Sequence, residues 1–390
     1  MNLLKQKIGI LGGGQLGRML IEEALRLNVN VNILENSKDC PCYHLAHEFI
    51  EGSLTNEAKI MELAAISDVL TFEIEHVNTE ALIKLEDEGK TIIPSPRMLQ
   101  IIQDKGLQKQ YYTEHQVPTA PYFLVNNKSE WNEAIVKLET EKFVAKTRTD
   151  GYDGRGVTIL NSKAILADNS LIPYDVPCLL EAFIPCEKEI SIIVAQDIFG
   201  KTVAYDAVEM EFEPEANLVT YLFSPADISK QIAEKAKIIA IQTINHFKSP
   251  GVFAVEMFIT LHGDILVNEI APRPHNSGHH TIEASYTSQY EQLTRIVLGL
   301  PVGCVGLIKP AAMINLLGDK SFSGAYAIKN LDQLHQIEGA YLHLYDKKES
   351  KPMRKMGHIT VLANSIEEVK AKATKVMSLV GFEPIKTLQN

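Results

Sequence analysis

The sequence predicts a three-part protein of the α/β and α+β classes: a doubly wound N-terminal domain, a larger mixed domain and a small β-rich C-terminal domain. Three observations predict this. The chain opens with a strand, a glycine turn, a helix and a second strand, Lys7–Leu34. Near its middle, the apolar run Lys142-Phe143-Val144-Ala145 ends at Lys146. A glycine loop and a second apolar run, Val157–Leu160, come after it. Further on, two apolar runs, Gly251–Leu261 and Ile265–Ile270, flank the turn His262-Gly263-Asp264 and carry one glutamate each. A chain of 390 residues exceeds what one ordinary core uses. The predicted boundaries are 1–100, 101–300 (with a lid lobe over about 113–183) and 301–390.

The bulk composition narrows the function. Hydrophobic content of 45% and charged content of 22% are those of an ordinary globular protein. A net charge of −11 argues against a general nucleic-acid binder, yet leaves room for a local basic pocket that takes an anionic substrate. No apolar run reaches the roughly 18–20 residues that span a bilayer. Met1–Lys7 carries no signal-peptide pattern, and five cysteines do not make a disulfide framework. A reduced cytoplasm, with neither a nucleic-acid nor a membrane partner, is the expectation.

The N-terminal domain begins with the buried strand Lys7–Leu11. Gly12-Gly13-Gly14-Gln15-Leu16-Gly17 fits G-x-G-x-x-G, and Arg18–Leu25 continues as a helix. Val29–Leu34 is the next strand and ends at Glu35. This is the dinucleotide fingerprint, in which glycines permit a tight turn and the helix N-terminus attracts a phosphate. Ser67–Phe72 is a further strand ending in Glu73-Ile74-Glu75. Ligands in open α/β sheets gather at strand carboxyl ends, which makes Glu73 a substrate candidate, while Glu75 reads as a solvated strand end. Thr91–Pro94 and a helix from near Arg97 close the domain.

In the middle domain, a helical stretch carries Asp104-Lys105 and Lys109–Tyr112, and Val117-Pro118-Thr119-Ala120-Pro121 is an extended linker. A helix at about 129–138 precedes the strand that ends at Lys146. The loop Gly151-Tyr152-Asp153-Gly154-Arg155-Gly156 has the spacing of a flexible hairpin tip or of a backbone cradle for phosphate oxygens. Strands at Cys178–Ile184 and Glu187–Ala195 follow. A tight turn centred on His262-Gly263 sets Glu256 directly opposite Glu269. Like charges so placed are destabilising, unless a cation lies between them. Two carboxylates plus substrate phosphates suit Mg²⁺. The loop Ala271–Thr281 is dense in donors, and its prolines suit an anion-binding loop better than a zinc site. In the C-terminal domain, Tyr341–Tyr345 alternates as a strand, Lys347–His358 is a basic run, and Ile366–Leu379 is an amphipathic helix.

Taken together, these pieces resemble the ATP-grasp superfamily and, within it, the 5-(carboxyamino)imidazole ribonucleotide synthetases of bacterial purine biosynthesis. The residues carrying the resemblance are Gly12–Met19, Thr71–Val77, Lys146 with Gly151–Gly156, Asn268–Thr281 and Arg354–His358. The resemblance implies an ATP-grasp fold with a Rossmann-like domain before it. The activity it implies is a ligase that carboxylates aminoimidazole ribonucleotide with ATP and bicarbonate, through carboxyphosphate. For ATP it implies Lys105, Lys146, Gly151, Gly154 and Gly156 at the phosphates, Glu181 with the backbone of Ala182, Phe183 and Ile184 at the adenine, and Glu189 at the ribose. Glu256 and Glu269 hold Mg²⁺ in this reading, with Asn268 beside them. The ribonucleotide falls to Gln15, Leu16, Glu73, Tyr152, Arg155, Arg273, His275, Asn276, Ser277, Lys348, Arg354 and Lys355. The implied catalytic set is Asp153, assisting proton loss from the substrate amine, with Tyr152, Arg155, His275 and Lys355. A homodimer is also implied.

The chain departs from the family pattern in places. Ala271 stands where many members place a third metal-binding asparagine, Glu209-Met210-Glu211-Phe212 lacks a histidine often found there, and Lys347-Lys348 makes the choice of lysine ambiguous. Two rival functions remain. A formate-dependent glycinamide ribonucleotide transformylase shares much of the apparatus. An NAD(P) oxidoreductase accounts for the first turn and Glu35 but leaves Lys146 and the glutamate pair without a use.

Overall fold

The structure is a computed structural model that describes residues 6–149, 156–213 and 218–385. The N-terminal unit contains β1 (Lys7–Leu11), α1 (Gln15–Arg26), β2 (Asn30–Glu35), β3 (Glu48–Glu51), α2 (Glu57–Ile66), β4 (Val69–Phe72), α3 (Thr79–Asp87), β5 (Thr91–Ile92) and α4 (Pro96–Gln103). Its five parallel strands run in the order β3-β2-β1-β4-β5. The chain leaves β1 to opposite sides, toward β2 and toward β4, so the sheet opens a crevice at the carboxyl end of β1. Gly12–Gly14 and Glu73 both lie there. β3 is hard to read from periodicity, because only Ile50 of its four residues is buried. The helices α2 and α3 begin at Asn56 and Asn78, whose side chains accept from the amides of Lys59 and Ala81.

The chain continues with α5 (Lys105–Glu114), β6 (Tyr122–Val125), α6 (Trp131–Leu138), β7 (Lys142–Thr147), β8 (Val157–Asn161), α7 (Ser162–Ala167) and β9 (Cys178–Ala182). Here β6-β9-β7-β8 form an antiparallel sheet whose inner face packs Trp131, Ile135 and Phe143. Next come β10 (Cys186–Gln196), β11 (Thr202–Ala204), β12 (Val208–Glu213), β13 (Leu218–Ser224), α8 (Lys230–Phe247), β14 (Gly251–Thr260), β15 (Ile265–Ala271), α9 (Thr281–Ala284) and α10 (Gln289–Val297). The last elements are β16 (Ala311–Leu317), β17 (Tyr326–Ile328), α11 (Leu331–Leu334), β18 (Ala340–Leu344), β19 (Lys355–Leu362), α12 (Ile366–Leu379) and β20 (Phe382–Pro384).

Of the C-terminal strands, β17 and β20 pair only with each other, whereas β16, β19 and β18 extend the sheet of the middle domain. β16 pairs with β13, so one sheet runs β15-β14-β10-β12-β13-β16-β19-β18, with β11 on β10. This continuity carries Lys355, the first residue of β19, toward the carboxylates of β14 and β15: its charge acts on Glu256 and on His275. The N-terminal unit is fastened to the same body by a core in which Leu16, Leu20 and Ile21 of α1 join Ile193, Val252, Tyr290 and Leu293. Among the described residues, no helix is long and apolar enough to cross a membrane.

Candidate active site

The glycine turn does not present a free anion site. The Glu73 carboxylate accepts from the amides of Gly14 at 2.7 Å and Gly17 at 3.2 Å, and Glu35 accepts from the amide of Gly13 at 2.8 Å. The N-terminus of α1, where the fingerprint predicts a phosphate, is thus held by a carboxylate of the chain itself. This corrects the dinucleotide expectation and removes the main support for a nicotinamide cofactor. It also explains the glycines: a Cβ on Gly12 or Gly14 would stand 2.7 Å from Glu73 atoms. Burial raises the pKa of Glu73, against the pull of those amides and of Arg273. Glu75 is not a solvated strand end, because its Oε1 lies 3.0 Å from Arg273 Nη2. Arg273 Nε is buried and finds no acceptor among the described residues.

Across the molecule, β7 and β9 pair so that Lys146 and Glu181 share one cleft. Lys146 Nζ is 2.9 Å from Glu181 Oε2 and donates to Asn268 Oδ1 at 3.1 Å. The other oxygen of Glu181 meets Lys109, a residue of α5 that sequence reasoning passed over. It is only 2% exposed and lies on the face of α5 that also buries Gly106 and Tyr112, so Tyr112 three residues on was the available signal. Lys109 also bonds Thr119, which donates to the carbonyl of Val267 at 2.7 Å. Lys105 starts α5, and its amide donates to the carbonyl of Arg148. Arg148 in turn grips Asp104, the cap of α5, at 2.6 and 2.8 Å. The base of the glycine loop is therefore tied to the helix that carries both lysines. Gly156 takes φ +70° there, and its carbonyl accepts from the amide of Thr147. Gly151, Tyr152, Asp153, Gly154 and Arg155 lie outside the described residues. The amides of Ala182 and Phe183 donate to the carbonyls of Pro121 and Lys142, which leaves these two residues their carbonyl oxygens for a ligand.

Glu256 and Glu269 are register partners on β14 and β15. The turn alone does not accomplish this. Next to it the pairs are Ile259–Ile265, Phe258–Leu266 and Met257–Val267, a register centred on His262 that would set Glu256 against Asn268. A bulge at this point inserts one extra residue and brings Glu269 opposite instead. The same bulge turns Asn268 to Lys146. Burial and the neighbouring Glu269 and Glu189 push the Glu256 carboxyl up to about 8, against Lys146 and Lys355. Burial likewise raises Glu189. Glu209, in the segment lacking the family's histidine, is paired with Lys188 at 2.8 Å.

His275 joins this group to the donor-rich loop. Its Nδ1 is 2.9 Å from Ser277 Oγ and accepts from the amide of Ser277, which leaves the proton on Nε2, 3.5 Å from Glu256 Oε1. Burial, Arg273 and Lys355 push its pKa down to about 3, so the ring is a neutral donor. Ser277 is itself bonded to Ser191 at 2.8 Å. The amide of Asn276 is engaged by Asn315 of β16 in a reciprocal pair, both bonds 2.8 Å, which anchors the loop to the C-terminal strands. Arg354 donates to the carbonyl of Glu349. Lys348 is turned outward, with its side chain 73% exposed and 2.5 Å from Asp39. Lys347 is the half-buried one. Burial lowers its pKa, and Glu73, Cys42 and Cys40 act on it from the crevice side. Of the two lysines between which the sequence leaves the choice open, Lys347 is the one on the crevice side and Lys348 the exposed one.

These positions can be compared with known proteins. Residues 5–103 match the ribonucleotide synthetase preATP-grasp domain, residues 110–290 the ATP-grasp domain, and residues 311–372 the phosphoribosylaminoimidazole carboxylase C-terminal domain. The N5-carboxyaminoimidazole ribonucleotide synthase of Bacillus subtilis is 35% identical over 362 residues, covering 93% of this chain and 92% of its own. The chain belongs to the N5-carboxyaminoimidazole ribonucleotide synthase family. The crystal structure of the Thermotoga maritima synthetase superposes with a TM-score of 0.88 at 37% identity, covering 97% of this chain and 99% of that one. An Aspergillus clavatus synthase, crystallised with ADP and 5-aminoimidazole ribonucleotide, gives 0.86 at 32% identity, covering 96% and 98%. The synthase family has the ATP-grasp fold, with a preATP-grasp domain before it and its own C-terminal domain after it.

Proposed function

We propose that this chain carboxylates 5-aminoimidazole ribonucleotide with ATP and bicarbonate, giving the N5-carboxyamino product, ADP and phosphate, a step of purine (IMP) biosynthesis. The observation that carries this reading is one buried polar cleft where Lys109, Lys146 and Glu181 adjoin the in-register pair Glu256–Glu269, with His275 and Lys355 beside that pair. In the reaction, the γ-phosphoryl group passes to a bicarbonate oxygen and ADP leaves. The ribonucleotide amine then attacks the carboxyl carbon of carboxyphosphate, phosphate leaves and one amine proton is released.

Each group has a use in that scheme. Lys146 and Lys105 bind phosphate oxygens. Glu181, with the carbonyls of Ala182 and Phe183 and the backbone of Ile184, holds adenine, and Glu189 holds the ribose. The pair at Glu256 and Glu269, with Asn268, fits Mg²⁺: two carboxyls face each other in a largely enclosed cleft, and burial beside Glu269 disfavours the charged form of Glu256 until a cation arrives. When bound, Mg²⁺ supplies charge neutralisation at the phosphates. The ribonucleotide lies against Gln15, Leu16, Glu73, Arg273, His275 and Ser277, with Lys347, Arg354 and Lys355 around its phosphate. Asp153 takes the amine proton, with Tyr152 and Arg155 beside it, as the family resemblance implies. The same reading makes the protein a cytoplasmic homodimer.

The test is ADP release in bicarbonate buffer with and without aminoimidazole ribonucleotide. Release that depends on both supports the reading. Activity with formate and glycinamide ribonucleotide alone would transfer the chain to the sister transformylases.

A further inference from the structure

Glu181 is 3% exposed and is shared by two ammonium groups, Lys109 on Oε1 and Lys146 on Oε2. Under the reading above, the phosphates of ATP draw Lys146 off this carboxylate. Were Lys146 its sole partner, a buried charge would be left uncompensated, which is strongly unfavourable. Lys109 is held where it cannot follow. It is buried in α5, bonded to Thr119, and through Thr119 to the Val267 carbonyl beside the bulge at Asn268. Asn268 is in turn the second partner of Lys146.

We propose that Lys109 is a positioning residue that keeps Glu181 ionised and in place while Lys146 transfers from that carboxylate to the nucleotide's phosphates. One N–H···O bond to Glu181 breaks, one to a phosphate oxygen forms, and no proton changes hands. Glu181 then remains available to the adenine, and the cleft never holds an orphaned carboxylate. Without Lys109, Glu181 and Lys146 become a closed one-to-one pair that ATP must break. The inference rests on ATP being the nucleotide.

The experiment measures dissociation constants of the full chain for the nonhydrolysable β,γ-imido analogue of ATP, with Mg²⁺, and for adenosine, which has no phosphate to claim Lys146. In Lys109→Met, the analogue is expected to weaken about tenfold or more and adenosine by less than about threefold. The double variant Lys109→Met/Glu181→Gln should show the same analogue-to-adenosine ratio as Glu181→Gln alone, within about threefold, because a neutral amide in place of the carboxylate needs no second cation. Equal weakening of both ligands, no weakening of either, or a double variant whose ratio differs from that of Glu181→Gln overturns the proposal. Should Lys109→Met fail to fold, the comparison of the double variant with Glu181→Gln decides alone. A wild-type protein that does not bind the analogue at all sinks the nucleotide reading itself, an outcome distinct from the others.

Discussion

The two adjacent lysines of the basic run give the sharpest test of the ribonucleotide site. Lys348 is 73% exposed, and its partner Asp39 is exposed too, so their pair is screened by solvent and contributes little. Lys347 is half-buried and faces the crevice that holds Glu73 and Cys42; the hydroxyl of Tyr326 donates to its carbonyl at 2.8 Å and so fixes its backbone. Under the proposed function, a lysine so placed makes a charge-assisted bond to the ribonucleotide's phosphate, worth about 1.5–3 kcal/mol. At about 1.4 kcal/mol per factor of ten, Lys347→Ala should raise KM for aminoimidazole ribonucleotide roughly 10- to 150-fold. Lys348→Ala should leave it within about twofold. Neither should alter KM for ATP, because the proposed nucleotide cleft is built from β7, β9 and β14–β15. Steady-state ADP release with each substrate varied in turn reads all four numbers. A Lys348→Ala loss equal to or larger than that of Lys347→Ala would refute the assignment of inner and outer lysine, and an equal rise in KM for ATP would mean that Lys347 acts on the fold rather than on the phosphate.

Three further outcomes follow from the same geometry. Burial and the neighbouring Glu269 push the Glu256 carboxyl up to about 8 from its ordinary 4.5, so between those two pH values the folded state holds the extra proton and stability falls as pH rises. Glu256→Gln should abolish that fall, gaining roughly 2–4 kcal/mol over the wild type at pH 8 in urea melts while losing Mg²⁺-dependent turnover. Gly14→Ala puts a Cβ 2.7 Å from Glu73 Oε1 and should cost about 1–3 kcal/mol by chemical denaturation. His358 is buried and its Nδ1 lies 2.8 Å from the hydroxyl of Tyr345, also buried; His358→Phe should cost about 1–3 kcal/mol, and adding Tyr345→Phe should recover part of it, which a double-mutant cycle measures.

The legible parts of this protein share one property: their signal is local. The strand–glycine–helix opening, the run that ends at Lys146 and the helix Ile366–Leu379 are written in consecutive residues, because periodicity and turn chemistry act over a few positions. The opposition of Glu256 and Glu269 was reachable from the turn between them, although the register that produces it depends on a bulge at Asn268 that no turn rule supplies. Short elements such as β3 escaped because four residues with one buried side chain carry no pattern.

The sequence by itself therefore determined the family, the order of the domains and most of the polar residues of the cleft. Only the tertiary structure decided who faces whom. It seated Glu73 on the amides that a phosphate was expected to take, paired Glu75 with Arg273, turned Lys347 inward and Lys348 outward, and brought Lys109 onto Glu181. The physical reason is the same in each case. A charge in a cleft finds its counter-charge through space, across 59 residues between Gly14 and Glu73 and 122 between Lys146 and Asn268, and no local rule of sequence reaches that far.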